Sequence, residues 1–536
     1  MDEDKEFSCL YQAYLNPAFS EEKESIGLPA VETSGKELDG DPPPLPSEDM
    51  PALPLHKRQD FWAWIGNLLF FLGLAGAIWG IGNAKGWYAP SGYAHNESET
   101  SQQRFLKEPI TPEPGVRGRD GVGASGRWYY WRLKPEDQNI YTHLFVWMSY
   151  VAHQLFAWTA LYLAQYFKNL PSATGPRFST NLEWYNWMGI AINIGFHLLH
   201  LLQTHTTYDA LAADVAISSS QCSVIMLIIY IFIIEYRDRG YAFGWPSQYD
   251  TGCATKVRLT YGPMYLVRKY HGYAFSWGAI YTFWYHPMEN TWGHVLGFAH
   301  TYMILVQGSL VFTKMHLNKY WRFILETWVT LHGSLVAYQT GGPDHVIWPM
   351  FCFGFSTMVV VTQIFTLPFW RKIPVWVRPF PALILLAVII YCYSWIPDAQ
   401  GRYFVGMIEV IFIPALLLLA PLAIWFLLWL YLKVEEKCKN RNTDSQKPKR
   451  NLASSILFFL CSITILSSCT VIGFLIQYFD TKMTLPTMMP ILSFAYSIIV
   501  SIQLIVSKQM FPCTDIMPRK VAPADYDVSD EKEKET

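Results

Sequence analysis

The chemistry of this sequence concentrates in its histidines. Asn186, Asn193, His197, His200 and Thr204 follow one another at intervals of 7, 4, 3 and 4 residues, which puts all five on one face of an α-helix. The surrounding sequence is apolar enough to lie in a bilayer. Each such group is costly there unless it meets a partner, so the stripe must face a bundle interior or water. Asp214, Ser218 and Gln221 make a matching stripe at intervals of 4 and 3. The short link from His205 to Asp209 forces the two helices to be antiparallel neighbours, with Asp214 near the depth of His200. A further group, His286, Glu289 and His294, flanks Pro287 in a short connection. Pro287 ends the preceding helix, and these three side chains are the first N and O donors that an arriving proton or divalent ion would meet.

Depth sharpens the pattern. His197, His300 and His332 each fall seven or eight residues from a helix end, about 10–12 Å deep at the helical rise, and His153 is about 18 Å deep. Three imidazoles at one level on three helices suit a single ion or a haem, because neutral imidazole ligates both metals and haem iron. The expected set for haem b is His153, His197, His200, His300 and His332. For a divalent metal ion it is His197, His200, Asp214, His286, Glu289, His294, His300 and His332. Asn193 and Glu326 would continue a proton path across the membrane. A membrane oxidoreductase or related metalloenzyme is therefore the first expectation. A proton- or metal-ion-coupled transporter or channel using the same histidines is the alternative, and a receptor or scaffold the third. Trp147, Trp158, Trp187, Trp277, Trp284, Trp292 and Trp328 would line a haem pocket, but aromatics also form the ordinary interfacial belt, and they are read as belt. His143, His205 and His345 are read as interfacial.

Known families do not supply the answer. Trp284-Tyr285-His286-Pro287-Met288-Glu289 is similar to the His-Pro-Glu copper-ligand segment of haem–copper oxidases, yet the adjacent His-His pair and the downstream His-x-His are missing. The closely spaced histidine boxes of membrane desaturases are missing too.

The elements that must position these groups are helices. The chain is 51% hydrophobic and 16% charged, where a soluble domain carries about 25% charge. The fold expected is an all-α polytopic bundle of about twelve spans: 61–83, 141–166, 184–204, 211–235, 270–286, 293–313, 320–340, 346–368, 379–397, 403–432, 452–477 and 487–507. Pro414 and Pro421 should kink the tenth. Five alternate loops, taken with Arg322 at the start of the span 320–340, carry 21 Lys and Arg residues and the five short loops opposite carry two, Arg402 and Lys482. The positive-inside rule then puts both termini in the cytosol and the remaining loops in the lumen or outside, in a plasma membrane or endomembrane. Asn96-Glu97-Ser98, in the long outer loop 84–140, is a glycosylation sequon on the matching side. On this topology eleven of the fourteen histidines fall on the non-cytosolic side, and no cysteine falls in an outer loop, so no disulfide framework is expected.

Four regions follow: a disordered cytosolic tail (1–58), a histidine-bearing transmembrane core (59–370), accessory helices (371–508) and a second disordered tail (509–536). In the first tail, Asp41 to Pro46 favours polyproline II, a stiff linker or a ligand for a WW or SH3 module. Asn16-Pro17-Ala18-Phe19 has the form of an NPx-aromatic sorting turn. The lipid bilayer is the expected partner, a nucleic acid is not, and no secretory signal peptide opens the chain.

Overall fold

A computed structural model describes residues 53–84, 106–107, 130–131, 139–168, 178–206, 211, 214–286, 292–341, 348–397, 401–439, 452–479 and 485–510. Among them the fold is helical apart from one two-residue antiparallel pair, β1 (Leu106–Lys107) with β2 (Tyr130–Trp131). The α-helices are α1 (Gln59–Ala84), α2 (Ile140–Lys168), α3 (Trp184–Thr206), α4 (Ile217–Arg239), α5 (Cys253–Val257), α6 (Gly262–Tyr270), α7 (Gly272–Tyr285), α8 (Trp292–Ser309), α9 (Lys319–Gly341), α10 (Trp348–Val361), α11 (Phe380–Tyr393), α12 (Met407–Lys439), α13 (Leu452–Tyr478) and α14 (Leu485–Met510).

A helix lies on each of the twelve predicted segments, and among the described residues six, those of α1, α4, α10 with its 3-10 continuation, α12, α13 and α14, are long and apolar enough to cross a membrane. The long helices outside that six are α2, α3, α8 and α9, of which α2, α3 and α8 carry the buried histidines and α9 the half-buried His332. Their polar and aromatic side chains lower the hydropathy of segments whose interior face has chemistry to house.

The boundaries differ in three places. The predicted span 270–286 is α7, shorter than expected and preceded almost without a break by α6, so Arg268 and Lys269 are helical rather than in a loop. The span 346–368 stops as an α-helix at Val361 and continues in 3-10 turns. The span 211–235 begins as α4 only at Ile217, which leaves Asp214 in the preceding turn. Pro414 and Pro421 both lie inside α12.

One hydrophobic core joins nearly all the helices. α4 lies near its centre, packed on α6, α7, α12, α13 and α14, while α8 packs on α1, α3, α7 and α9. The late helices are part of this core. Thr470 of α13 accepts from Trp277 Nε1 at 3.1 Å and bonds Tyr150 at 2.9 Å, and Tyr230 of α4 donates to the Ser497 carbonyl of α14 at 2.7 Å. Trp158, Trp277 and Trp284 are fully buried, so these three are core residues and not an interfacial belt. α11 packs at the edge, on α10 and α12.

One end of the bundle is stapled by Asp60. Its carboxylate accepts from Arg58, from the Phe61 amide at 2.9 Å and from the Met315 amide at 2.8 Å, while its own amide donates to the Thr180 carbonyl at 2.9 Å. The start of α1, the approach to α3 and the α8–α9 connection therefore share one end. The basic ends of α4 and α6 and the start of α9 join them there, through the ion pairs described below.

Candidate functional site

Helix backbone carbonyls set the protonation pattern of the buried imidazoles. His197 Nδ1 donates to the Asn193 carbonyl at 2.7 Å, His286 Nδ1 to the Thr282 carbonyl at 2.9 Å, and His332 Nδ1 to the Trp328 carbonyl at 3.3 Å. Each acceptor is four residues back, one helical turn. A carbonyl can only accept, so Nδ1 carries the proton and Nε2 of the neutral ring is left as an acceptor. His300 is set the other way round, its Nε2 donating across to the Leu325 carbonyl of α9 at 2.8 Å. His153 Nδ1 accepts from Trp284 Nε1 at 3.1 Å. His200 faces two acceptors, Gln203 Oε1 at 3.1 Å and the His286 carbonyl at 3.0 Å. A neutral ring has one N–H, which serves the carbonyl, so the Gln203 amide must turn its NH₂ towards Nδ1 unless the ring is protonated.

The rings fall into three neighbouring groups. His153, His197 and His200 surround an aromatic cluster. His153 stacks on Phe196 at 4.3 Å, and Phe283 lies 4.4 Å from His197 and 4.5 Å from His200, centroid to centroid. His300 and His332 face each other across α8 and α9 at 4.9 Å, and His286 and His294 lie 6.1 Å apart at the α7–α8 connection. The groups are linked, because the His286 carbonyl takes the His200 N–H and α8 carries both His294 and His300.

The three histidines placed at one depth lie in different surroundings: His300 pairs with His332, while the His197 ring lies among Phe283, Phe298 and Tyr302. Among the described residues no group of three or more His, Cys, Asp or Glu side chains is placed to hold a metal ion. The physical reason is that each ring is anchored by its own nearby bond and faced by aromatic side chains, rather than being turned to a shared centre. Asp214 does not reach His200 either. Lying outside α4, it accepts from His143 Nδ1 at 2.9 Å and Trp147 Nε1 at 2.7 Å through one oxygen, which ties α2 to the turn before α4. Glu289, His95, Asp209, Asp344, His345, the sequon and the Asp41–Pro46 and Asn16–Phe19 segments lie outside the described residues.

At the opposite end of the bundle α4 and α9 are clasped by two reciprocal ion pairs. Arg239 Nη1 donates to Glu326 at 2.6 Å with both side chains buried, and Arg322 donates to Glu235 one helical turn away on each helix. Arg268 reaches Asp238 at 3.4 Å beside them. Glu326, expected on a proton path, therefore sits in a four-charge square just past Leu325, the residue whose carbonyl holds His300. Close by, His316 in the α8–α9 connection donates from Nδ1 to the Gln307 carbonyl at 2.8 Å, and its ring lies 6.4 Å from His271. Burial, with the charges of His271 and Arg322 adding to it, holds His316 down at about 4, against the upward pull of the Gln307 bond.

No protein family, curated protein or solved structure shows significant similarity to this chain.

Two parts of the site escaped the sequence reading. The pairing of Glu235 with Arg322 leaves no sequence signal, because no spacing within one helix reveals a pair 87 residues apart. Gly293-x-x-x-Gly297 is a legible signal for close helix contact. A Cβ on Gly293 would stand 2.6 Å from the Val336 amide nitrogen, and one on Gly297 would stand 3.4 Å from His332 Cδ2. That crossing is what lets His300 and His332 meet.

Proposed function

We propose that this protein is a proton-coupled membrane transporter or channel whose buried histidines pass protons between the two ends of the bundle. The supporting observation is the setting of the imidazoles: one nitrogen donating to a backbone carbonyl, the other left as an acceptor, and rings adjacent in the pairs His286–His294 and His300–His332. An imidazole in that state takes a proton at one nitrogen and releases one from the other. The pairs continue towards Glu326 and its partner Arg239. In this reading the chain crosses a plasma membrane or endomembrane about twelve times, its arginine-rich end and both termini in the cytosol. The Asp41–Pro46 segment is offered to a cytosolic WW- or SH3-type module.

The test is proton flux into liposomes carrying the purified protein, driven by a potassium diffusion potential and read with an entrapped pH dye. The wild type should acidify the vesicles well above protein-free controls, and His332→Ala and His300→Ala should each cut the rate at least tenfold. A wild-type rate equal to that of empty vesicles overturns the proposal.

Haem or metal ligation, in a membrane oxidoreductase or metalloenzyme, is the second reading. The observation that favours it is His197, whose Nδ1 bond to a carbonyl and open Nε2 match the way a ligating histidine is held. A Soret band in the purified protein that disappears in His197→Ala, or stoichiometric bound metal, would install it in place of the relay.

A further inference from the structure

Two buried acceptors on α3 have no donor. Asn193 Nδ2 donates to the Tyr302 carbonyl at 3.4 Å, which fixes the orientation of the amide, and its Oδ1 has no hydrogen-bond partner. His197 Nε2 has none either, its Nδ1 being committed to the Asn193 carbonyl. Both side chains are at most 2% exposed. They lie one turn apart on one face of α3 beside Tyr302 of α8, whose carbonyl takes the Asn193 N–H and whose ring is 4.8 Å from that of His197. Phe283 at 4.4 Å and Phe298 at 4.9 Å, centroid to centroid, also flank the His197 ring.

Buried polar atoms in folded proteins are nearly always satisfied, so two orphans one helical turn apart ask what completes them. The missing partner must donate, because both orphans are lone pairs, and those lone pairs would repel an anion. Aromatic rings attract a cation through their negative faces. A bare alkali ion would find one oxygen and one nitrogen where it wants a shell of oxygens, and a hard divalent ion would lack the carboxylates it prefers. A cation with N–H donors meets every condition. We propose that Asn193, His197 and the rings of Phe283, Phe298 and Tyr302 bind ammonium, or the ammonium end of a small primary amine, as the transported cation. This rests on the transporter reading and names its substrate class.

Potassium is the informative control, since it is close to ammonium in size and charge but carries no N–H. The full-length protein in nanodiscs is melted at fixed pH and ionic strength in ammonium chloride, methylammonium chloride or potassium chloride. The two nitrogen cations should raise the melting temperature by about 2–4 °C over potassium. Asn193→Leu and His197→Phe, which remove an acceptor and keep the bulk, should lose that difference. Phe298→Leu, which keeps both acceptors, should retain part of it, and it serves as the readout if the α3 variants do not fold. Equal melting in ammonium and potassium, as expected if water fills the gap, overturns the proposal, as does a full shift in both α3 variants. Proton flux without an ammonium shift would remove the ligand and keep the relay. An ammonium shift without flux would keep the ligand and remove the relay.

Discussion

Gly293→Ala and Gly297→Ala are the same chemical change one turn apart on the same helix, and the structure gives them opposite signs. At Gly293 the new Cβ would lie 2.6 Å from the Val336 nitrogen and 2.7 Å from its Cα, about 0.8 Å inside the 3.4 Å at which ordinary contact begins. The obstacle is backbone, which cannot rotate away, so α8 and α9 must part. Overpacking of this kind costs roughly 1–3 kcal/mol. Replacing a helical glycine returns at most about 1 kcal/mol, and less in the first turn of α8, where Gly293 sits. The net expectation is a loss of about 1–2 kcal/mol, obtained by setting the overpacking cost against the smaller propensity gain. At Gly297 the first obstacle is a side-chain carbon, His332 Cδ2, at 3.4 Å. Alanine fits there and should stabilise by about 0.5–1 kcal/mol. Thermal unfolding of the two variants and the wild type, in one detergent at one pH, checks the order: Gly297→Ala highest, Gly293→Ala lowest. If Gly293→Ala melts at or above the wild type, the close crossing of α8 and α9 is wrong, and with it the contact between His300 and His332.

Two further predictions come from the arginine-rich end. Glu326→Gln leaves the buried Arg239 without its carboxylate and should destabilise by about 3–5 kcal/mol. Arg239→Glu combined with Glu326→Arg should recover much of that loss in a double-mutant cycle, and strictly additive losses would refute the pairing. His316, held near 4 in the fold against 6.5 in a free chain, binds fewer protons folded than unfolded between those values. Stability at this site is therefore intact above pH 6.5 and declines as the pH falls towards 4. Melting temperatures measured from pH 7.5 to 4.5 should fall less steeply in His316→Asn than in the wild type. Parallel curves would exclude His316 as a source of acid sensitivity.

What spacing conveys about this protein is which residues of one helix share a face. The stripe Asn193–His197–His200 was legible for that reason, and all three side chains are buried. What spacing does not convey is which neighbour a face meets. His197 and His300 sit at matching depths by count, yet one lies among Phe283 of α7 and Phe298 and Tyr302 of α8 while the other turns to α9, because the lateral order of helices depends on the whole packing. Asp214 shows a second limit. It fits a helical interval with Ser218, but α4 starts three residues later, and no capping residue marks that start, since its N-cap is Ala216. The tryptophans show a third. Composition cannot separate an aromatic at the membrane surface from one inside the bundle, and Trp158, Trp277 and Trp284 lie inside.

Asp60 has a consequence for how the chain is made. It enters the membrane with the first helix, when only Arg58 and the Phe61 amide are available to it, while the Met315 amide that completes its shell lies 255 residues further along. Domains and segments emerge from synthesis in order, N-terminal first. On this order α1 waits, loosely held, while the segments that follow are made, and it locks only when the turn after α8 arrives. A ribosome stalled before residue 315 should leave that helix open to labelling and to quality control, and one stalled well after it should not.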